Sequence, residues 1–418
     1  VGGYEFRHVI SNMDIGRTIG SLSLAMGMEL RRETFIAEAG QEDSYIGAGA
    51  QSFPGLRPEN EVEAIRYNVG GYLEGNWDVS DQLLLGAAIR FERYSDFGNS
   101  FNWQLNGRYD PLTWLSVRAS ASTGFRAPTL HQAYFSSVQS IASGGTVSKQ
   151  GTFNNLSSVV RALDVPQLKE ENSFNLSGGI AINPNENFSL TADYYRIEVD
   201  DRVVFTGNIA SDDTTTRVGQ TLERYNVTSL KFFLNAVSTV SSGLDLSASY
   251  RNLSLGKGSL NAVLSANFSN HELKGKTETP EAIQKAEVNI FDRKEQSRIL
   301  TGRPNHKIHL RLEYQLDKWQ FSLLNTRFGA VTWQHAADPE KDQTFSAKLL
   351  TDVRLQYQIL KSLSLRLHCN NAFNVYPDEI DPKGDVVTDL GGRFRYGWDM
   401  NQFGVRGRFF SLHLDLQF

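Results

Sequence analysis

The chain closes on Leu412-His413-Leu414-Asp415-Leu416-Gln417-Phe418, with leucines alternating against His413, Asp415 and Gln417. Successive side chains of a strand point to opposite faces. The segment therefore predicts a strand with one greasy face, one ionisable face and a terminal aromatic. The same alternation recurs upstream. Ile308, Leu310, Leu312, Tyr314 and Leu316 share one face against His309, Arg311, Glu313 and Gln315. Val353, Leu355, Tyr357 and Ile359 oppose Asp352, Arg354, Gln356 and Gln358. Leu363, Leu365, Leu367 and Cys369 oppose Ser364, Arg366 and His368. Leu115, Val117, Ala119 and Ala121 oppose Ser116, Arg118, Ser120 and Ser122. Helical periodicity is scarce, so the chain reads as all-β.

Two features select a transmembrane antiparallel barrel over a soluble sandwich. Segments 18–35, 62–79, 187–205 and 227–251 outrun ordinary globular strands of about five or six residues. A tilted strand needs about 9–11 residues to cross the hydrocarbon. The connections also alternate in length. Tight turns are expected at Asp78–Asp81, Asp110–Thr113, Asn183–Asn187 and Ser254–Ser259, and around Asp317 and Lys361. Long loops are expected over roughly 36–61, 125–170, 206–226, 273–302, 334–345 and 375–404. Tight turns on one side and long loops on the other is the layout of an outer-membrane barrel. Trp77, Trp114 and Trp319 lie beside the tight turns, where an interfacial girdle belongs. A charge on the lipid face at the midplane costs about 2–4 kcal/mol. Arg118, Asp193, Asp352, Arg354, Arg366 and Asp415 are therefore assigned to the interior, paired with one another or with whatever fills the lumen.

Several function classes drop out. No apolar run approaches the roughly 18 residues of a membrane helix. A net charge of −5 without a Lys/Arg-rich run argues against nucleic-acid binding. Cys369 is the only cysteine, which leaves no internal disulfide and no Cys-based metal site. His306 and His309 fall on opposite faces of a regular strand and do not form one site. No nucleophile elbow, Walker loop, H-E-x-x-H or dinucleotide fingerprint occurs, so no catalytic residues, metal or cofactor are assigned. About fifteen strands are expected, whereas bacterial single-chain barrels have an even number. That parity, with a start at Val1 lacking a leader, leads us to expect a longer functional molecule.

Ala119–Ser137, "ASASTGFRAPTLHQAYFSS", resembles the barrel of a TonB-dependent outer-membrane receptor through its Gly124-Phe125-Arg126-Ala127-Pro128 run. "RFERYSDFGNS", "VPQLKEENSFNLSGG", "LTADYYRIEVDDRVVFTG", "FFLNAVSTVSSGLDLSASY", "NNAFNVYPDE" and "QFGVRGRFFSLHLDLQF" follow in the family's order, so the resemblance spans nearly the whole chain. It implies a 22-stranded barrel around an N-terminal plug. Residues 1–418 would supply about the last fifteen strands, without the plug, its TonB-contacting segment and the first strands. It further implies a monomer in the outer membrane of a Gram-negative bacterium. Such a receptor binds a scarce nutrient, foremost a ferric siderophore or other iron chelate, and imports it with energy from the TonB complex. Phe418 would be the mark read by the barrel-assembly machinery.

Outer-loop candidates for ligand contact are Arg126, His131, Tyr134, Phe135, Tyr396 and Trp398, with Tyr45 and Phe53 in the same class. Arg126 has a second, structural reading, in which it pairs with a loop carbonyl while Pro128 stops the strand. In haem-importing members a histidine of this loop ligates iron, but His131 has no partner in the sequence that points to that role. The cluster Asp338–Asp342 reads as a solvated loop. Rival readings are a passive or substrate-specific porin without a plug, a soluble all-β binding protein, and an outer-membrane barrel enzyme.

Overall fold

The computed structural model describes residues 1–46, 55–143, 146–381, 394–397 and 402–417, with no side-chain description for 140–148. Fifteen long strands form one antiparallel sheet. In chain order they are β1 (Gly3–Ile19), β2 (Leu22–Glu38), β3 (Val62–Ser80), β4 (Leu83–Tyr94), β5 (Gly98–Leu112), β6 (Leu115–Arg126), β9 (Glu171–Asn185), β10 (Phe188–Phe205), β12 (Phe233–Leu255), β13 (Gly258–Lys274), β14 (His306–Leu316), β15 (Trp319–Phe328), β18 (Lys348–Leu360), β19 (Leu363–Asn370) and β20 (Phe409–Leu416). Each pairs with its neighbours in that order, and the sheet ends on β1 at one edge and β20 at the other. Short strands β7 (Ser137–Ser143), β8 (Thr146–Thr152) and β11 (Ser229–Lys231) form a separate loop sheet, and β16 (Val331–Trp333) pairs with β17 (Gln343–Phe345).

Two-residue turns close every connection at one end of the wall, from Gly20–Ser21 to Lys361–Ser362. The opposite end carries the long loops and one tight exception, Ser95–Phe97 between β4 and β5. The hairpin at Gly20–Ser21 interrupts the expected segment 18–35, and β1 runs the full length of a crossing strand. The expected strand 227–251 is displaced to Phe233–Leu255 because Val227, Leu230 and Phe232 are buried in a loop core instead.

Register carries the sequence alternation across the sheet. Leu264 faces Leu310 and Ala248, and Leu355 faces Phe321 and Leu367. Leu367 in turn lies beside Leu412 on the same side. Tyr109, Phe188, Tyr250, Tyr314 and Tyr357 join Trp77 and Trp319 on that apolar face beside the tight turns. The Trp319 and Tyr357 rings lie 4.5 Å apart. This row has the composition of an interfacial girdle. Leu264 sits on the same face four residues above the girdle level set by Leu260 and Tyr314, and is 45% exposed. Leu264→Arg is expected to cost about 2–4 kcal/mol in refolding into lipid vesicles, against little for Ser265→Arg on the polar face. Equal costs would contradict an outward apolar wall.

The hydrophobic core of the described residues lies at the long-loop end, in the loops and the strand ends beneath them. Val160, Leu163, Ile209, Leu222, Phe232 and Ile283 belong to one buried cluster drawn from three different loops. Phe35, Leu56 and Leu130 make a second, and Trp333, Phe345 and Ile380 belong to a third.

Candidate functional site

On the polar face, β2–β4 end in a ladder of charges below the loops. Register sets Glu29, Arg31 and Glu33 beside Gly70, Asn68 and Arg66, which in turn face Glu92, Tyr94 and the Ser95–Phe97 turn. Arg31 pairs with Glu29 at 2.6 Å, and Arg90 pairs with Glu92 and reaches Glu29 at 3.5 Å. Asn68 Nδ2 and Tyr94 Oη donate to Glu92 at 3.0 and 2.8 Å.

Arg66 is the hub. Its Nε donates to Glu33 at 2.6 Å, and its Nη1 donates to the Pro128 carbonyl at 2.7 Å and lies 3.3 Å from Asp96. The guanidinium carbon stands 5.4 Å from the Tyr94 ring centroid. Only 4% of the residue is exposed. One planar fork with five donors thus joins β2, β3, the Ser95–Phe97 turn and the 127–170 loop.

Beside it opens a cavity of about 530 Å³ walled by Arg31, Arg66, Arg126, Glu33, His8 and the rings of Phe6 and Tyr94. Side-chain exposure decides what a ligand meets. Arg31 and Arg126 are 30% and 53% exposed, whereas their partners Glu29 and Glu171 are 15% and 9% exposed. The mouth presents guanidinium ends and aromatic faces, and Glu33, its side chain 12% exposed, is the carboxylate on the lining.

Arg126 lies on this mouth, its guanidinium forked onto Glu171, with Nε to Oε2 at 2.9 Å. The loop carbonyl expected of Arg126 is held by Arg66 instead. Glu171 also accepts from the Val203 amide at 2.8 Å, which fixes the carboxylate between β6 and β10.

His131 and Tyr134 lie in α1 (Leu130–Tyr134), a single helical turn started by a capping box between Thr129 and Gln132. His131 stacks on Phe135 at 4.6 Å and meets Phe35 edge-on at 5.8 Å. Burial pushes its imidazole pKa down, so the ring is neutral at pH 7. Among the described residues no group of three or more His, Cys, Asp or Glu is placed to hold a metal. Phe135 meets Tyr4 edge-on at 5.7 Å and packs on the Phe35 cluster. Tyr134 borders a second cavity, of about 560 Å³, with Arg57, Asn60, Phe153 and Tyr225. Tyr396 stacks on Tyr376 at 6.0 Å. Tyr45 follows the short turn Glu42–Ser44. Phe53, Trp398 and Phe418 lie outside the described residues.

The six charges assigned to the interior all fall on the polar face. Arg118 and Asp193 meet across Gly179 through a two-pronged ion pair at 2.6 and 2.8 Å. A Cβ at Gly179 would stand 2.0 Å from Asp193 Oδ1, so this contact requires glycine. Arg366 pairs with Asp415 at 3.1 Å, and Asp352 accepts from the Asn371 amide at 2.7 Å. Arg354 borders a cavity of about 190 Å³ with Asp352, Arg311 and His368. His306 and His309 point to opposite faces. Asp342 departs from the solvated-loop expectation: it pairs with Arg293 and accepts from the His335 amide at 2.9 Å.

Residues 6–372 match the TonB dependent receptor-like, beta-barrel family. The chain belongs to the TonB-dependent receptor family. Its fold and family are those of transport receptors. The chain superimposes on a variant of the ferric enterobactin receptor PfeA of Pseudomonas aeruginosa with TM-score 0.69 and 15% identity, covering 99% of this chain and 54% of that one. The siderophore receptor PirA of Acinetobacter baumannii gives TM-score 0.64 and 14% identity, covering 99% and 55%. A stretch of 74 residues is 34% identical to the vitamin B12 transporter BtuB of Photobacterium profundum, covering 18% of this chain and 12% of that protein. The chain spans about half the length of the solved receptors it matches. At such identity the receptors share the fold of this chain.

Proposed function

We propose that this chain forms the wall and outer mouth of an outer-membrane receptor for a scarce nutrient. The ligand is a ferric siderophore or another oxygen-rich iron chelate, taken up with energy from the TonB complex. The carrying observation is the arginine-lined mouth, where Arg31 and Arg126 present guanidinium groups more exposed than their partners Glu29 and Glu171, and three arginines share the lining with one carboxylate, Glu33. Planar forks and aromatic faces suit the oxygen ligands and rings of an anionic chelate. PfeA, a ferric enterobactin receptor, and PirA, a siderophore receptor, point the same way. The plug, the remaining strands, the TonB-contacting segment and assembly through Phe418 belong to this reading.

The full-length protein is tested in a strain lacking its own siderophore receptors, with ferric enterobactin as sole iron source. Arg31→Ala with Arg126→Ala is expected to lower uptake by about tenfold or more, the loss of two charge-assisted contacts. Unchanged uptake removes the mouth from the reading. Uptake that persists without TonB favours the porin, and uptake of cobalamin alone moves the ligand toward that of BtuB.

A further inference from the structure

The apolar wall has a dent. Register places Met13, Met28, Gly71, Phe91 and Phe101 in one row across β1–β5. These residues, with Leu73, border a cavity of about 480 Å³ on the outward face, floored at Gly71. Glycine weakens a strand interior and often marks a bulge, a bend or a site where a ligand or another backbone approaches closely. Gly71 has no neighbour that demands it: an added Cβ would meet only the Gly27 carbonyl oxygen, at 3.7 Å. At outward Gly75 and Gly107, leucine methyls already stand 3.2 and 3.3 Å from where a Cβ would be. The protein leaves the space above Gly71 empty.

Two cations sit above the dent. Arg32 lies four residues from Met28 along β2, and Arg93 two residues from Phe91 along β4. Both share the outward face, Arg32 beside Tyr67 and Arg93 beside Val69. Both are exposed, and neither pairs with a carboxylate among the described residues. The tight-turn girdle lies at Trp77 on the same strand as Tyr67 and Val69. At about 3.3 Å per residue and a tilt of about 45°, Val69 and Tyr67 stand roughly 19 and 23 Å above it. The apolar band of such a wall is about 25 Å tall. The guanidinium groups therefore reach headgroup depth on the long-loop side.

We infer that this face holds one lipid of the adjoining leaflet, an acyl chain lying over Gly71 and a phosphate headgroup held between Arg32 and Arg93. The site rests on the membrane-spanning reading and is independent of the transported ligand. A free phosphate would use the arginines and ignore the dent.

The test uses the full-length protein in mild detergent, incubated with phosphatidylglycerol or with diacylglycerol and weighed by native mass spectrometry. The parent is expected to retain phosphatidylglycerol and to hold diacylglycerol far less. Gly71→Leu fills the dent and is expected to lose the lipid. Arg32→Gln and Arg93→Gln are each expected to lower retention about fivefold. Arg327→Gln, at an exposed outward arginine on β15, leaves retention unchanged. Heat-modifiable gel mobility reports whether each variant is folded. The arginine variants alter exposed, unpartnered side chains and stand as the test if Gly71→Leu does not fold. Retention by the double arginine variant equal to the parent overturns the inference, as does retention by a folded Gly71→Leu. A protein that transports its ligand yet retains no lipid sinks the lipid site alone, whereas one that stays soluble without detergent sinks the membrane reading.

Discussion

Arg66→Ala is expected to destabilise the receptor by about 3–5 kcal/mol, because removing one member of a buried ion pair strands the other. Glu33 would lose a charge-assisted partner at 2.6 Å, Asp96 one at 3.3 Å, and the Pro128 carbonyl its donor. The side chain of Arg66 is 5% exposed and that of Glu33 12%, so water replaces only part of what is lost. Arg118→Ala is the control. Its pair with Asp193 is geometrically as good, but those side chains are 51% and 30% exposed, and such a pair contributes about 0–1 kcal/mol. The readouts are thermal loss of the heat-modifiable gel form and protease cleavage within 127–170. Arg66→Ala should melt well below Arg118→Ala and be cut in that loop first. Arg66→Lys keeps the charge but not the fork, and should fall between the parent and Arg66→Ala. Equal melting of Arg66→Ala and Arg118→Ala would show that the hub does not hold the mouth.

The wall was legible because its physics is local. Ile308 to Leu316 alternate every second residue, and a one-residue slip would turn every leucine to the wrong face. The elements that sequence reading misplaced are those where apolar residues serve a different partner. Val227, Leu230 and Phe232 resemble strand residues, yet they belong to the same buried cluster as Leu163 and Ile283 from distant loops. The turn at Gly20–Ser21 carries a two-residue Gly-Ser hairpin signal, which the apolar residues Ile19 and Leu22 on either side of it mask. The mouth was harder to see. Arg126 was visible through its motif, but Glu33, Arg66 and Asp96 are ordinary polar-stripe and turn residues until register brings them together. The dent at Gly71 depends on five strands at once.

Phe232→Ala is the other substitution expected to have a large effect, and its effect should stop at the wall. Phe232 is fully buried in the cluster containing Leu163, Ile209, Leu222 and Ile283, which come from the 127–170, 206–232 and 275–305 loops. Its backbone is tied to Thr206, through the amide to Oγ1 at 3.1 Å and through the carbonyl to the amide at 3.0 Å. Deleting a buried phenyl ring costs about 3–5 kcal/mol when the surroundings cannot close the cavity. The cluster drawn from three loops then loses one of its largest buried side chains, while the strand ladders below keep their hydrogen bonds. Local opening with an intact scaffold is the expected outcome. In hydrogen exchange, the amides of Leu230 and Ile283 should lose protection, since their acceptors Ile209 and Pro280 belong to the same loops. The amides of β13 and β14 should exchange as in the parent. Leu156→Ala, at a side chain 41% exposed, should change exchange little, within about 0.5 kcal/mol. Loss of protection spread evenly over loops and wall would mean that the cap and the sheet unfold as one unit. Unchanged exchange at Leu230 and Ile283 would mean that the loops are held by their barrel attachments and not by the core they share.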